Sequence, residues 1–313
     1  MNKKKIDRRR FLEYSVLGLA GLTILPGCKI TAEKGKRAIF DGKSLNGWQP
    51  MPRLYLPRDP RFNELAPDDL CTEVIDWYKE NGQLERVAHT GCWEVVDGAI
   101  TGGHDPVDSV FGAYLVSEEK FGDFELELDA KPDWPVDTGI MIRANKMATL
   151  GFQVLVDHRP NGNVGGIFGN SLGSFLATGY YMNGDRSPGF KVENLRADDS
   201  VGNFASVRPE YAASFDEFKK VWRLNEWNHF KIRCTGNLPL ITTWINDTKI
   251  CELNTADIQG VRGFDPEREA RRLGNDGHIA FEVHDVDVNS SLGRDRWEVG
   301  AKCRWKNITI MPL

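Results

Sequence analysis

Along most of the chain, apolar residues recur at every second position. In FELELDA (124–130), Phe124, Leu126 and Leu128 alternate with Glu125, Glu127 and Asp129. This pattern marks a strand with one buried face, because successive strand side chains point to opposite sides. TGIMIRAN (138–145) sets Ile140 and Ile142 against Met141 and Arg143. GFQVLVDHR (151–159) sets Phe152, Val154 and Val156 against Gln153, Leu155 and Asp157. NHFKIRC (228–234) and ITTWINDTKICEL (241–253) continue the series, with Asn246-Asp247 as a turn inside the second. GHIAFEVHD (277–285) puts Ile279, Phe281 and Val283 on one side and Ala280, Glu282 and His284 on the other. RWKNITIMPL closes the chain. Sustained helical periodicity is scarce, and one short helix is expected near Asp68–Lys79. Many short strands in one chain of this length predict an all-β sandwich or jelly roll.

Two segments interrupt the alternation. Residues 49–90 are rich in proline and acid, and residues 160–226 begin glycine-rich (NGNVGGIFGN) and turn polar and aromatic. Long insertions in a compact β domain tend to carry function. At the N-terminus, Arg8-Arg9-Arg10-Phe11-Leu12 precedes an apolar run from Tyr14 to Leu25 that ends in Leu25-Pro26-Gly27-Cys28. The run is too short for a bilayer span, which needs about 20 apolar residues. It resembles a lipoprotein signal with a lipobox, and the RRxFL order resembles a twin-arginine export signal. Residues 1–28 are therefore expected to be a signal peptide with lipobox, with Cys28 the lipidated residue. Residues 29–37 form a tether and 38–313 a single domain. The expected location is the cell envelope, as a periplasmic or outer-membrane lipoprotein.

The first 27 residues hold six Lys/Arg and two Asp/Glu, so residues 28–313 carry −9 against −5 for the whole chain. That balance argues against nucleic acid as a partner. Beyond Cys28 the cysteines are Cys71, Cys92, Cys234, Cys251 and Cys303, without CxxC or zinc spacing. Cys234 and Cys251 fall on neighbouring predicted strands, where a bond and two buried thiols are equally compatible.

A set of short motifs then converges. Phe40-Asp41-Gly42-Lys43-Ser44-Leu45-Asn46-Gly47-Trp48 resembles the opening FDGKSLxGW of the 3-keto-disaccharide hydrolase domain family. Trp93–Gly98 is similar to its WxVxDG turn, Phe121–Leu126 to FGDFEL, Thr138–Arg143 to SGIxxR, and Gly151–Asp157 to GYQVxxD. Glu226-Trp227-Asn228, Trp244-Ile245-Asn246 and the terminal Trp305–Leu313 resemble further motifs of the same family, in the same order. The resemblance implies a concanavalin A-like jelly roll of two antiparallel sheets with long loop insertions. It also implies a secreted or lipid-anchored protein acting on sugars oxidised at C3. The chain departs from the pattern in a longer Trp48–Trp93 segment, in Leu155 where an acid or glutamine is common, in Asp247 for the hairpin glycine, and in Glu282 for a frequent glutamine.

The chemistry so implied is cleavage of 3-keto-glycosides by C2 proton abstraction, elimination and hydration. It needs a base, an enolate stabiliser and an acid. His284 is the expected base, since imidazole titrates nearest neutrality, with Glu282 beside it as its partner. Arg143 offers a fork of donors for the enolate. Gln153, Asp157, Glu127, His104 and Trp134 are candidates for binding sugar, the last by stacking, with Trp222 or Trp297 as further platforms. No cofactor is demanded; a divalent metal ion is conceivable on Asp157, Glu282 and His284, which are suitable ligand types. Two rival readings share the fold: a non-catalytic, lectin-like carbohydrate-binding module, and a glycoside hydrolase using two carboxylates such as Glu282 and Asp157.

Overall fold

The computed structural model describes residues 35–313 except 160–161, 186, 188, 199–204 and 287–294. The signal segment, Cys28 and most of the tether lie outside the described residues. Two large sheets carry the fold. The first runs Tyr211–Ala212, Thr248–Asn254, Leu240–Ile245, Asn228–Thr235, Phe124–Pro132, Cys303–Pro312, Ala99–Gly103 and Cys92–Val96, with Arg37–Ala38 also paired to Cys303–Pro312. The second runs Ala205–Val207, Phe175–Ala177, Val164–Asn170, Gly151–Asp157, Asp137–Ala144, His278–Val283, Ala113–Ser117 and Trp48–Pro52. Pairing within both is antiparallel, save between Phe175–Ala177 and Ala205–Val207. This is the jelly-roll sandwich that the alternation predicts.

Phe124, Leu126, Leu128, Phe230, Ile232 and Trp305 of one sheet share a single buried core with Ile140, Phe152, Val154, Ile279 and Phe281 of the other. Phe281 is clasped between two indoles, its ring centroid 5.2 Å from that of Trp48 and 4.8 Å from that of Trp305. The sheets differ in their outer faces. Phe124–Pro132 alternates buried and half-buried positions, so its second face meets water. Asp137–Ala144, Ala113–Ser117 and His278–Val283 are buried at every position, so the outer face of their sheet is covered.

The proline-rich insertion supplies part of that cover. Its helix Pro67–Glu80 opens on proline, whose fixed φ suits a first helical position. It buries Leu70, Cys71, Val74 and Tyr78, one side of the cylinder. The Asn145 side-chain amide reaches Cys71 Sγ at 3.6 Å. The expected hairpin joins Leu240–Ile245 to Thr248–Asn254, with φ of 47° at Asn246 and 67° at Asp247. Both central residues are left-handed, as a two-residue hairpin turn of this kind requires. Cys71, Cys92, Cys234, Cys251 and Cys303 are all free thiols, so Cys234 and Cys251 are not bonded to one another.

Candidate active site

A cleft of about 710 Å³ opens on the covered face of the second sheet. Gln153, Leu155 and Asp157 reach it from one strand, and Asp137 from the next. His284 and Asp285 come immediately after the strand His278–Val283, and Arg296 arrives from the loop beyond. Arg53 and Tyr55 come from the insertion.

His284 stands at the centre of the polar part. Its Nδ1 lies 2.7 Å from the Asp285 carbonyl oxygen and 3.0 Å from Asp285 Oδ1. Both are acceptors, so this network puts the ring proton on Nδ1 and leaves a lone pair on Nε2. Arg53 Nη2 at 2.9 Å and Arg296 Nη1 at 3.3 Å donate toward that lone pair. Asp137 Oδ2, which binds Arg296, lies 3.6 Å from the same nitrogen. The buried His104 Nε2 donates to the His284 carbonyl oxygen at 2.8 Å and stacks on Trp297, fixing the backbone beneath the imidazole.

Arg53 ties the site together. It donates from Nε to Glu282 Oε1 and from Nη1 to Asp285 Oδ1, both at 2.6 Å. The Tyr55 hydroxyl adds a bond of 2.7 Å to Asp285 Oδ1, and Arg86 Nη1 lies 3.3 Å from Asp285 Oδ2. Burial opposes ionisation of Asp285, but Arg53, His284 and Tyr55 outweigh it and hold its carboxyl well below the usual range. Burial likewise opposes ionisation of Asp137, and the positive charge that the His284 ring carries when protonated, with Arg296 and Arg159, brings it below the usual value. Asp157 differs: burial, with the negative Asp137 near it, pushes its carboxyl up to about 7 despite Arg159 Nε at 3.1 Å.

The sequence-derived candidates divide. The cleft gathers His284, Gln153 and Asp157. Glu282 lies fully buried beneath them, accepting from Arg53, from the Tyr114 hydroxyl at 3.2 Å and from the Gln153 amide. Gln153 can reach it because Gly139 lies between, where a Cβ would run into that amide. Glu282 therefore anchors the wall rather than pairing with the imidazole; Asp285 and Asp137 are the acids beside His284. Arg143 is not in the cleft. Its φ of 50° falls beside a register shift in the pairing with His278–Val283. Its guanidinium reaches the other sheet instead, bonding Asp123 Oδ1 at 2.7 Å and the Gly236 carbonyl oxygen at 3.2 Å. Glu127 sits on the wet face of the first sheet, 2.6 Å from Lys36 Nζ. Trp134 stacks on Phe190 at 4.7 Å and donates to the Asp185 carbonyl oxygen. Trp222 and Trp297 are buried, and none of these three tryptophans lines the cleft. His104 supports the site from behind rather than facing substrate. Nor do Asp157, Glu282 and His284 form a ligand set. Among the described residues no group of three or more His, Cys, Asp or Glu is placed to hold a metal ion, and Glu282 is ringed by donors, the wrong chemistry for a cation ligand.

Arg53, Tyr55, Asp137, Asp285 and Arg296 escaped the sequence reading. Asp137 alone had a periodic signal: it extends the alternation of Gly139 and Met141 by one step and pairs across the strands with Asp157. The others lie on loops, where no period says which side chains meet.

A jelly-roll sandwich whose sheet face bears a cleft lined with imidazole, carboxylate, amide and guanidinium groups is the build of a carbohydrate-active, hydrolase-like protein. Residues 35–311 match the family described as the 3-keto-alpha-glucoside-1,2-lyase-like domain, and the chain belongs to that family. None of the curated proteins matches the sequence. Similar solved structures include two proteins of Parabacteroides distasonis provisionally named glycosyl hydrolases. One is 14% identical with a TM-score of 0.43, over 89% of this chain and 94% of that one. The other is 16% identical with a TM-score of 0.40, over 71% and 90%. A β-glucanase of Bacillus licheniformis is 8% identical with a TM-score of 0.33, over 71% of this chain and 82% of that one.

Proposed function

We propose that the protein is an exported lipoprotein that cleaves 3-keto-glycosides by elimination and then hydration. One observation supports this most strongly: the lone pair of His284 Nε2 lies beside two guanidinium groups, at 2.9 and 3.3 Å. In a 3-keto sugar, C2 loses its proton while negative charge grows on the oxygen of C3, the adjacent carbon. Base and oxyanion stabiliser must therefore lie within a few ångströms of each other, as His284 does with Arg53 and Arg296. Substrate entry replaces a guanidinium contact on Nε2 with the C2–H bond.

His284 Nε2 takes the C2 proton. The electron pair of that bond becomes the C1=C2 double bond as the C1–O bond breaks, and the departing oxygen leaves as an alcohol after gaining a proton. Water then adds back, hydroxyl to C1 and hydrogen to C2, and the sum is hydrolysis. Gln153 lines the cleft with its amide steered by Glu282, and Asp157 offers a carboxyl to the sugar. The two-carboxylate alternative is disfavoured because Glu282 is fully buried and held by three donors, with no oxygen facing the cleft.

The test is to offer the purified full-length protein a 3-keto-glucoside and its unoxidised parent. Aglycone release from the keto sugar alone, with exchange of the C2 hydrogen in deuterated water, is the expected result. The His284→Ala variant should lose about 100-fold or more in turnover. Cleavage of the parent sugar, or full activity in the variant, overturns the proposal.

A further inference from the structure

The cleft has two unlike halves. Beside the polar groups, an apolar strip crosses the sheet. Leu155 lies two residues along the strand from Gln153, Phe168 is opposite Gln153 on the next strand, and Leu176 is opposite Phe168 on the one beyond. All three line the cleft, together with Leu56 and Pro57 of the insertion. Leu155 and Phe168 are only half-buried.

This openness is local. Elsewhere on the same face the apolar patch of Tyr114, Val116, Met141 and Ala280 is sealed to 1% exposure or less. The fold thus covers one apolar patch and leaves the other lining a cavity. On the sheet side of the strip Asn163 and Asn170 are committed to the protein, while Arg58, Asp59 and Asn63 line the cleft from the insertion opposite. Asn163 donates to the Tyr180 carbonyl oxygen and to Thr178, and accepts from the Gly166 amide. Asn170 donates to the Ala148 carbonyl oxygen at 3.1 Å. Ser171 and Ser174 add hydroxyls to the lining. A second sugar laid on the strip would press hydroxyls against Leu155, Phe168 and Leu176, which offer no partner, and buried hydroxyls without partners are costly. An apolar group gains from the same surface. The volume, about 710 Å³, lies in the range that encloses drug-sized ligands, so a single sugar ring does not fill it.

We infer that the strip of Leu155, Phe168 and Leu176 is a leaving-group subsite that takes an apolar, aromatic aglycone in preference to a second sugar. The inference rests on the 3-keto-glycoside reading of the same cleft and carries it to a substrate class. Leu155 is central, because the related pattern has a polar residue there.

The test compares benzyl 3-keto-glucoside with a 3-keto-disaccharide of the same anomeric configuration, using the full-length protein. The sugar alkoxide is the better leaving group of the two, so chemistry alone does not supply a preference for the benzyl compound. The expected result is about a tenfold higher kcat/KM for the benzyl compound, carried by KM. Leu155→Gln and Phe168→Ala should each move that ratio toward unity. Equal or better use of the disaccharide by the wild-type protein overturns the subsite. Calorimetric binding of both compounds separates the two failures. If neither is cleaved but the benzyl glycoside binds about tenfold tighter, the reaction is wrong and the subsite stands. If both are cleaved and bind alike, the reaction stands and the subsite falls.

Discussion

Asp157 and Asp137 face each other across a strand pair, and both are buried. Their fates differ because His284 and Arg296 crowd Asp137, leaving Asp157 to hold a proton up to about pH 7. The unfolded chain releases that proton near pH ~3.9. Between about pH 4 and pH 7 the folded state thus binds more protons than the unfolded one, so this residue's contribution to stability falls as pH rises through the window. Each unit of separation is worth about 1.4 kcal/mol. Asp157→Asn removes the penalty. Urea unfolding should show the variant gaining on the wild type between about pH 4 and pH 7, with the difference level above that. A difference that stays constant with pH would refute the assignment.

At the scale of elements, the hairpin at Asn246-Asp247 separates two roles. Asp247 bears the steric cost of a φ of 67° without any compensating bond being needed for the turn. Asp247→Gly should stabilise the fold by about 0.5–1 kcal/mol, read as a shift in the urea midpoint with an unchanged slope. Asn246 has a second task. Its Oδ1 accepts from the His229 amide at 2.9 Å and its Nδ2 donates to the Val221 carbonyl oxygen at 2.8 Å, so glycine at that position should destabilise. Elements of this kind were legible in the sequence because period-two burial and turn chemistry are local signals. The helix Pro67–Glu80, Phe124–Pro132, Gly151–Asp157 and His278–Val283 all fall within a few residues of their expected places. Alternation failed at Arg143, where one left-handed residue redirects the side chain to the opposite sheet. It was silent on Arg53, Tyr55 and Arg296, because loops have no period. His284, Gln153 and Asp157 were legible as neighbours in one cleft since their strands carry them to it; the groups that surround them there were not.

For the molecule as a whole, the proposed lipid on Cys28 is open to a direct test. Labelling cells with a radioactive fatty acid should mark the wild-type chain and not Cys28→Ser, and the variant should move to the soluble fraction. Retained label in the variant would remove the anchor from the proposal. Within the sandwich, Trp48, Phe281 and Trp305 form a three-ring column whose middle member belongs to the strand that ends just before His284. That column is a built-in optical gauge. Two indoles held in fixed orientation on either side of one ring give the near-ultraviolet circular dichroism a chiral signature. Any substrate that shifts the strand beneath Glu282 and His284 must change it, so binding can be watched from the dry side of the sheet without a dye or a label.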